Sequence, residues 1–166
     1  MKYYSSELFD YSKHTPEEME NLWLEQFGLY NEEFEKTKER LPKRLVQLCY
    51  TGFFHDAMIT DMDIHIRDKR KSKTVTIKLD LEHCGYVVSL IYTDVMSYSL
   101  NCKAEDQYYS GLSYLYGELL WNNEKEMWEH NILTTDGEIN FVFNKIRLKC
   151  DWDVFSIATL VNRPWG

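Results

Sequence analysis

The apolar residues change their period at Gly52, and this constrains the fold more than any other feature of the chain. Before it, in HTPEEMENLWLEQFGLYNEEFEKTKERL, residues Met19, Leu22, Trp23, Phe27, Tyr30 and Phe34 recur at helical spacing and form one apolar stripe. Thr15 stands as N-cap, Pro16 fits the first helical position and Glu18 completes a capping box. Acids crowd the first half of this helix and bases the second, as the macrodipole favours, and Gly28 weakens it without ending it. A brief helix carrying Leu8, Phe9 and Tyr11 is expected earlier, capped by Ser5 or Ser6. Pro42 restarts a helix in PKRLVQLCYT, which Gly52 closes in a left-handed cap.

Beyond Gly52 the period falls to two. Met62, Ile64 and Ile66 alternate with Asp61, Asp63 and His65, and after the charged DKRKSK, residues Val75, Ile77, Leu79 and Leu81 alternate with Thr76, Lys78 and Asp80. This predicts a hairpin with one wet face. Setting apolar opposite apolar pairs Ile66 with Val75, Ile64 with Ile77 and Met62 with Leu79. On the outer face Asp63 then opposes Lys78, a favourable pair, whereas Asp61 opposes Asp80, which repulsion disfavours unless a cation or a proton intervenes.

Further strands are predicted at GYVVSLIY, VMSYSLN and SYLYGELLW, with a loop around KAEDQYYSG. Asp136-Gly137 matches a type I′ turn between two more strands, which sets His130 opposite Phe143 and beside Trp128 and Ile132. Ile139, Phe141 and Phe143 differ in parity from Ile146, Leu148 and Cys150, so a bulge is expected near Asn144-Lys145. The run Val154 to Val161 reads as a strand buried on both sides or an edge covered by the helices. The expected fold is α+β: N-terminal helices packed on a curved, mostly antiparallel sheet of about seven or eight strands. The chain of 166 residues reads as a single domain, residues 1–52 mainly helical and 53–166 mainly antiparallel sheet.

A formal charge of -8 disfavours general binding to phosphate backbones and makes a basic protein the better-matched partner. The local bases of KTKERLPKR and DKRKSK read as solvated surface on a helix and at a hairpin tip. Cys49, Cys84, Cys102 and Cys150 show no Cys-x-x-Cys spacing, and the first residues lack the layout of a signal peptide. Apolar stretches fall short of the roughly 20 residues that span a bilayer. The expectation is a cytoplasmic protein with reduced thiols, no membrane, no nucleic acid and no cofactor.

The opening MKYYSSELFDY, the FHDAMI after the second helix and the closing HNILTTDGEINFVFNKIRL resemble a family of bacterial proteins of unknown function, marked by an aromatic-His-Asp element followed by a sheet. The resemblance covers most of residues 1–150 and leaves the last sixteen outside. The layout is similar to that of small cytoplasmic immunity proteins that neutralise secreted toxins. This implies a protein-binding role and transfers no catalytic residue.

His55 and Asp56 invite comparison with metal-dependent phosphohydrolases named for a His-Asp dipeptide, but those draw further ligands from a helical bundle, and here the dipeptide precedes a sheet. The competing structural reading has Asp56 bonding backbone N–H groups at the junction and His55 packing beneath Phe53 and Phe54. Asp61, His65 and Asp80 on the wet face are a weak cation site or plain surface. Glu118 shares strand parity with Tyr114, Tyr116 and Leu120 and stands with His130 as a polar residue on an apolar face. If the two meet, they form the acid/base pair with the best claim in the chain; otherwise His130 is a satisfied structural histidine. No Gly-x-Ser-x-Gly elbow or phosphate-cradling Gly-rich loop occurs. The leading expectation is therefore a non-catalytic protein-binding module, and the alternative is a sheet domain that binds a small ligand or a metal, with hydrolase-like acid/base chemistry.

Overall fold

Helix α1 (Pro16–Thr37) begins where Thr15 and Glu18 exchange hydrogen bonds: the Glu18 N–H donates to the Thr15 hydroxyl and the Thr15 N–H to the Glu18 carboxylate. The structure, a computed structural model, describes residues 1–5, 8, 12–69, 72–102 and 112–150. The predicted brief first helix, the hairpin tip, the KAEDQYYSG loop and the Val154–Val161 run fall wholly or partly outside the described residues. α1 continues through Gly28, a single 3-10 turn follows at Lys38–Arg40, and α2 (Lys43–Tyr50) ends at Gly52, whose φ of 69° is the left-handed closure predicted for it.

Six strands follow among the described residues: β1 (Ala57–Lys69), β2 (Ser72–His83), β3 (Tyr86–Cys102), β4 (Leu112–Asn122), β5 (Met127–Thr134) and β6 (Gly137–Lys149). They close into an antiparallel barrel in the order β1-β2-β3-β6-β5-β4. The β1–β2 register is the one that the alternation predicts, with Ile66 opposite Val75, Ile64 opposite Ile77 and Met62 opposite Leu79. Two predicted strands, 85–92 and 95–101, are one. β3 runs through Thr93–Asp94, where Asp94 takes a left-handed φ of 54° and the inward set passes from Tyr92 to Val95. The same flip occurs opposite, where Asn144 and Lys145 are both exposed between the inward Phe143 and Ile146. Both strands therefore kink together: β6 keeps Ile139, Phe141, Phe143 and Ile146 inside, whereas β3 beyond Val95 leaves Met96, Tyr98 and Leu100 exposed.

The sequence of α2 explains how the barrel is filled. Leu45, Leu48 and Phe53 are fully buried in one cluster with Ile77, Leu79, Leu90 and Ile132. Each contributes about 1.5–3 kcal/mol by leaving water. The closing seam is short: β1 and β4 pair only from Ala57 opposite Tyr114 to Ile59 opposite Leu112. Beyond Tyr114 the free side of β4 is met by α1, where the Leu119 N–H donates to the Tyr30 hydroxyl at 3.0 Å. The apolar stripe of α1 is fully buried only at Phe34, while Phe27 stays 42% exposed.

Candidate functional site

The inward face of β5 carries Trp128, His130 and Ile132. His130 lies opposite Phe141 and not Phe143, because the hairpin turns at Thr135–Asp136 and Gly137 is already paired with Thr134. Both ring nitrogens have partners: the Tyr92 hydroxyl is 2.8 Å from Nδ1 and the Tyr114 hydroxyl 3.1 Å from Nε2. A neutral imidazole has one donor and one acceptor nitrogen, so one tyrosine donates and the other accepts. Burial enforces that neutrality, lowering the His130 pKa to about 3. It also pushes both tyrosines well above their ordinary value. Gly117 makes room for the arrangement, since a Cβ there would lie 1.6 Å from the Tyr114 hydroxyl oxygen.

Glu118 does not join His130. A register shift between Tyr114 and Tyr116 turns Tyr114 inward with Gly117 and Leu119 and leaves Glu118 on the opposite face, paired with Asn131. Its carboxylate is fully buried there by the N-terminal segment. The Lys2 N–H donates to Oε2 at 2.8 Å, and the Tyr3 and Tyr4 N–H groups both donate to Oε1 at 2.6 Å. The two strongest acid/base candidates therefore sit back to back across the sheet, each satisfied separately. A general base needs an accessible lone pair and a pKa near the working pH, and His130 offers neither.

His55 and Asp56 lie in the turn before β1. Asp56 adopts a φ of 62° and its N–H donates to the Tyr114 carbonyl at 2.8 Å, which fixes the start of the seam. The side chains deviate from the expected packing: the Asp56 carboxylate reaches His55 Nδ1 at 2.9 Å, and the His55 ring stands edge-on to Tyr116, with centroids 5.1 Å apart. The pair is half exposed and stands at the rim of a cavity of about 350 Å³, with Trp23, Phe27 and Tyr30 of α1 on one side and Tyr114 and His130 on another. Sequence reasoning missed Tyr92, Tyr114 and Trp23 as members of this site. Gly117, a glycine inside a strand, was the available signal that a group approaches closely.

On the β1–β2 hairpin Asp61 does oppose Asp80, and the cation that relieves them is Lys78, whose ammonium is 2.5 Å from Asp80 Oδ2. Asp61 also contributes to raising the Lys78 pKa. His65 pairs with Thr76, four residues and about 13 Å along the strand from Asp61, so the three predicted ligands do not converge. Among the described residues no group of three His, Cys, Asp or Glu side chains is arranged to hold a metal ion. No helix among them is long and apolar enough to cross a membrane.

Cys49, which also lines the cavity, is held inert by burial of its thiol, which pushes its pKa up to about 12. Iodoacetamide treatment of the folded protein at pH 8 is expected to modify the exposed Cys84 and Cys102 while leaving Cys49 intact, as read by peptide mass spectrometry. Alkylation of Cys49 at a rate comparable to Cys84 would show that α2 opens readily. Neither a protein-family model nor a curated protein matches the chain.

Proposed function

We propose that the chain is a non-catalytic cytoplasmic binding module that engages a basic protein through the first half of α1. The observation that carries this reading is the helix face formed by Glu17, Glu20, Leu24 and Phe27. These residues follow i, i+3, i+4 spacing and so lie on one side of the helix. Leu24 is 52% and Phe27 42% exposed, so this face presents apolar side chains to water beside its acids. No lysine or arginine occurs between Pro16 and Glu35, whereas seven acids do: Glu17, Glu18, Glu20, Glu25, Glu32, Glu33 and Glu35. An exposed strip of mixed apolar and acidic character is complementary to a cationic partner that also presents apolar side chains. In an immunity-like role, that partner would be a basic toxin. The back-to-back placement of Glu118 and His130 favours binding over acid/base chemistry.

The test uses the tagged full chain as bait in extract from its native host at moderate salt, beside the variant Glu20→Lys/Leu24→Lys. Both positions are exposed, so the variant is expected to keep its stability within about 0.5 kcal/mol for each change. The expected result is a stoichiometric basic protein on the wild type, at least tenfold less on the variant, and weaker retention as salt rises. Equal recovery on both baits, or no stoichiometric protein on the wild type, would refute the proposal.

A further inference from the structure

The cavity at the β1–β4 seam goes beyond that reading, because its chemistry suits a small molecule and not a basic protein. We infer that it is a binding site for a small, uncharged aromatic molecule that offers a hydrogen-bond acceptor to the indole N–H of Trp23. The first ground is a polar atom without a partner. Trp23 lines the cavity, and its Nε1 is buried without a hydrogen-bond partner among the described residues. An indole N–H is a donor only, so what it lacks is an acceptor. Buried donors left in this state are uncommon in folded chains, and each one calls for an explanation.

The second ground is the lining. In a chain of net charge -8, no Asp, Glu, Lys or Arg among the described residues lines the walls of this space, and Asp56 at its rim is paired with His55. The buried carboxylate of β4, Glu118, spends both oxygens on the backbone of Lys2, Tyr3 and Tyr4. His130 meets the cavity as a neutral ring with both nitrogens engaged, and His55 at the rim is paired with Asp56. A charged ligand would lose its hydration there and gain no counter-charge, so a neutral one is selected.

Aromatic selectivity comes from the walls. Trp23 and Phe27 are stacked at 5.0 Å with an interplanar angle of 14°, and Tyr30, Phe54 and Tyr114 complete flat surfaces around the same space. Offset and edge contacts with such rings favour a planar guest over an aliphatic one of equal area. The volume of about 350 Å³ falls in the range of pockets that hold small molecules.

The test is a titration of the full-length, ¹⁵N-labelled protein with three probes that share one ring system: 2-acetylnaphthalene, naphthalene and naphthalene-2-carboxylate. The Trp23 indole signal is assigned by its loss in Trp23→Phe. The expected result is a saturable shift of that signal with 2-acetylnaphthalene, and binding at least tenfold weaker for both naphthalene and the carboxylate. Trp23→Phe should bind the ketone at least tenfold more weakly than the wild type does and naphthalene with affinity unchanged within twofold, which shows that the cavity is intact. Overturning results are no saturable shift with any probe, a carboxylate that binds as tightly as the ketone, or a Trp23→Phe variant that either keeps full affinity for the ketone or loses naphthalene as well.

Discussion

Replacing His130 with phenylalanine lowers the unfolding free energy by about 4 kcal/mol at neutral pH, because the ring is replaced by one that fills the space and bonds nothing, leaving two buried hydroxyls unpaired at about 1–3 kcal/mol each. Those hydroxyls belong to Tyr92 and Tyr114, both inside the barrel. The same substitution changes the response to acid. In the unfolded chain His130 takes a proton below about 6.5, whereas burial in the folded protein holds its pKa down to about 3. The folded state thus binds fewer protons through this window, and its stability falls as pH drops from 6.5 toward 3, by about 2 kcal/mol at pH 5. The carboxylates held low, such as Glu33 beside Lys2, act in a different window: their contribution is present above about 4.5 and is lost only below it. Urea unfolding of both proteins at pH 7 and pH 5 is therefore expected to show the gap between them narrowing by about 2 kcal/mol. A gap that is the same at both pH values would mean that His130 titrates freely in the folded chain.

The pairing of the sheet is legible in the sequence where the partners of the buried polar residues are not, and the physical reason is visible in β4. Between Asp61 and Lys69 of β1 and their partners in β2 the alternation runs unbroken, so one register alone keeps Ile77 and Leu79 inside and a slip by one would expose them both. In β4 the alternation is interrupted by the register shift between Tyr114 and Tyr116, and a parity argument carried across it assigns Glu118 to the wrong face. Two strands are predicted on either side of Thr93–Asp94, where a polar dipeptide looks like the end of a strand but is a kink matched by Asn144–Lys145. Closure of the barrel rests on three residue pairs between segments more than fifty positions apart, and nothing local in either segment announces it. The burial of His130 and Glu118 was legible, since both stand among apolar neighbours. Their partners were not, because Tyr92 and Lys2–Tyr4 come from distant parts of the chain.

Removing the Glu118 side chain is expected to cost about 3 kcal/mol and to release the first four residues, since a charge-assisted bond to a buried carboxylate is worth about 1.5–3 kcal/mol and three backbone donors converge on this one. The segment is more than a tether. Tyr4 is 3% exposed, stacked on Tyr116 at 5.2 Å and edge-on to Tyr30 at 5.7 Å, so it joins β4 to α1. Lys2 and Tyr3 both bond Glu33 on α1, which adds a second connection between the segment and the helix. If Glu118 acts by holding this strap, then Glu118→Ala and Tyr4→Ala are parts of one interaction, and the double variant should cost clearly less than the sum of the two singles. Hydrogen exchange gives the local readout: the Tyr3 and Tyr4 amides lose protection in Glu118→Ala, whereas the Phe141 amide in the middle of β6 changes only as far as global stability falls. Costs that add fully, or protected Tyr3 and Tyr4 amides in the variant, would show that the buried carboxylate stabilises β4 by some other route. A Glu118→Gln variant refines the same question. An amide keeps one acceptor oxygen for Tyr3 and Tyr4 but turns an N–H₂ toward the Lys2 N–H and the Asn131 amide, so it should recover part of the lost stability and not all of it.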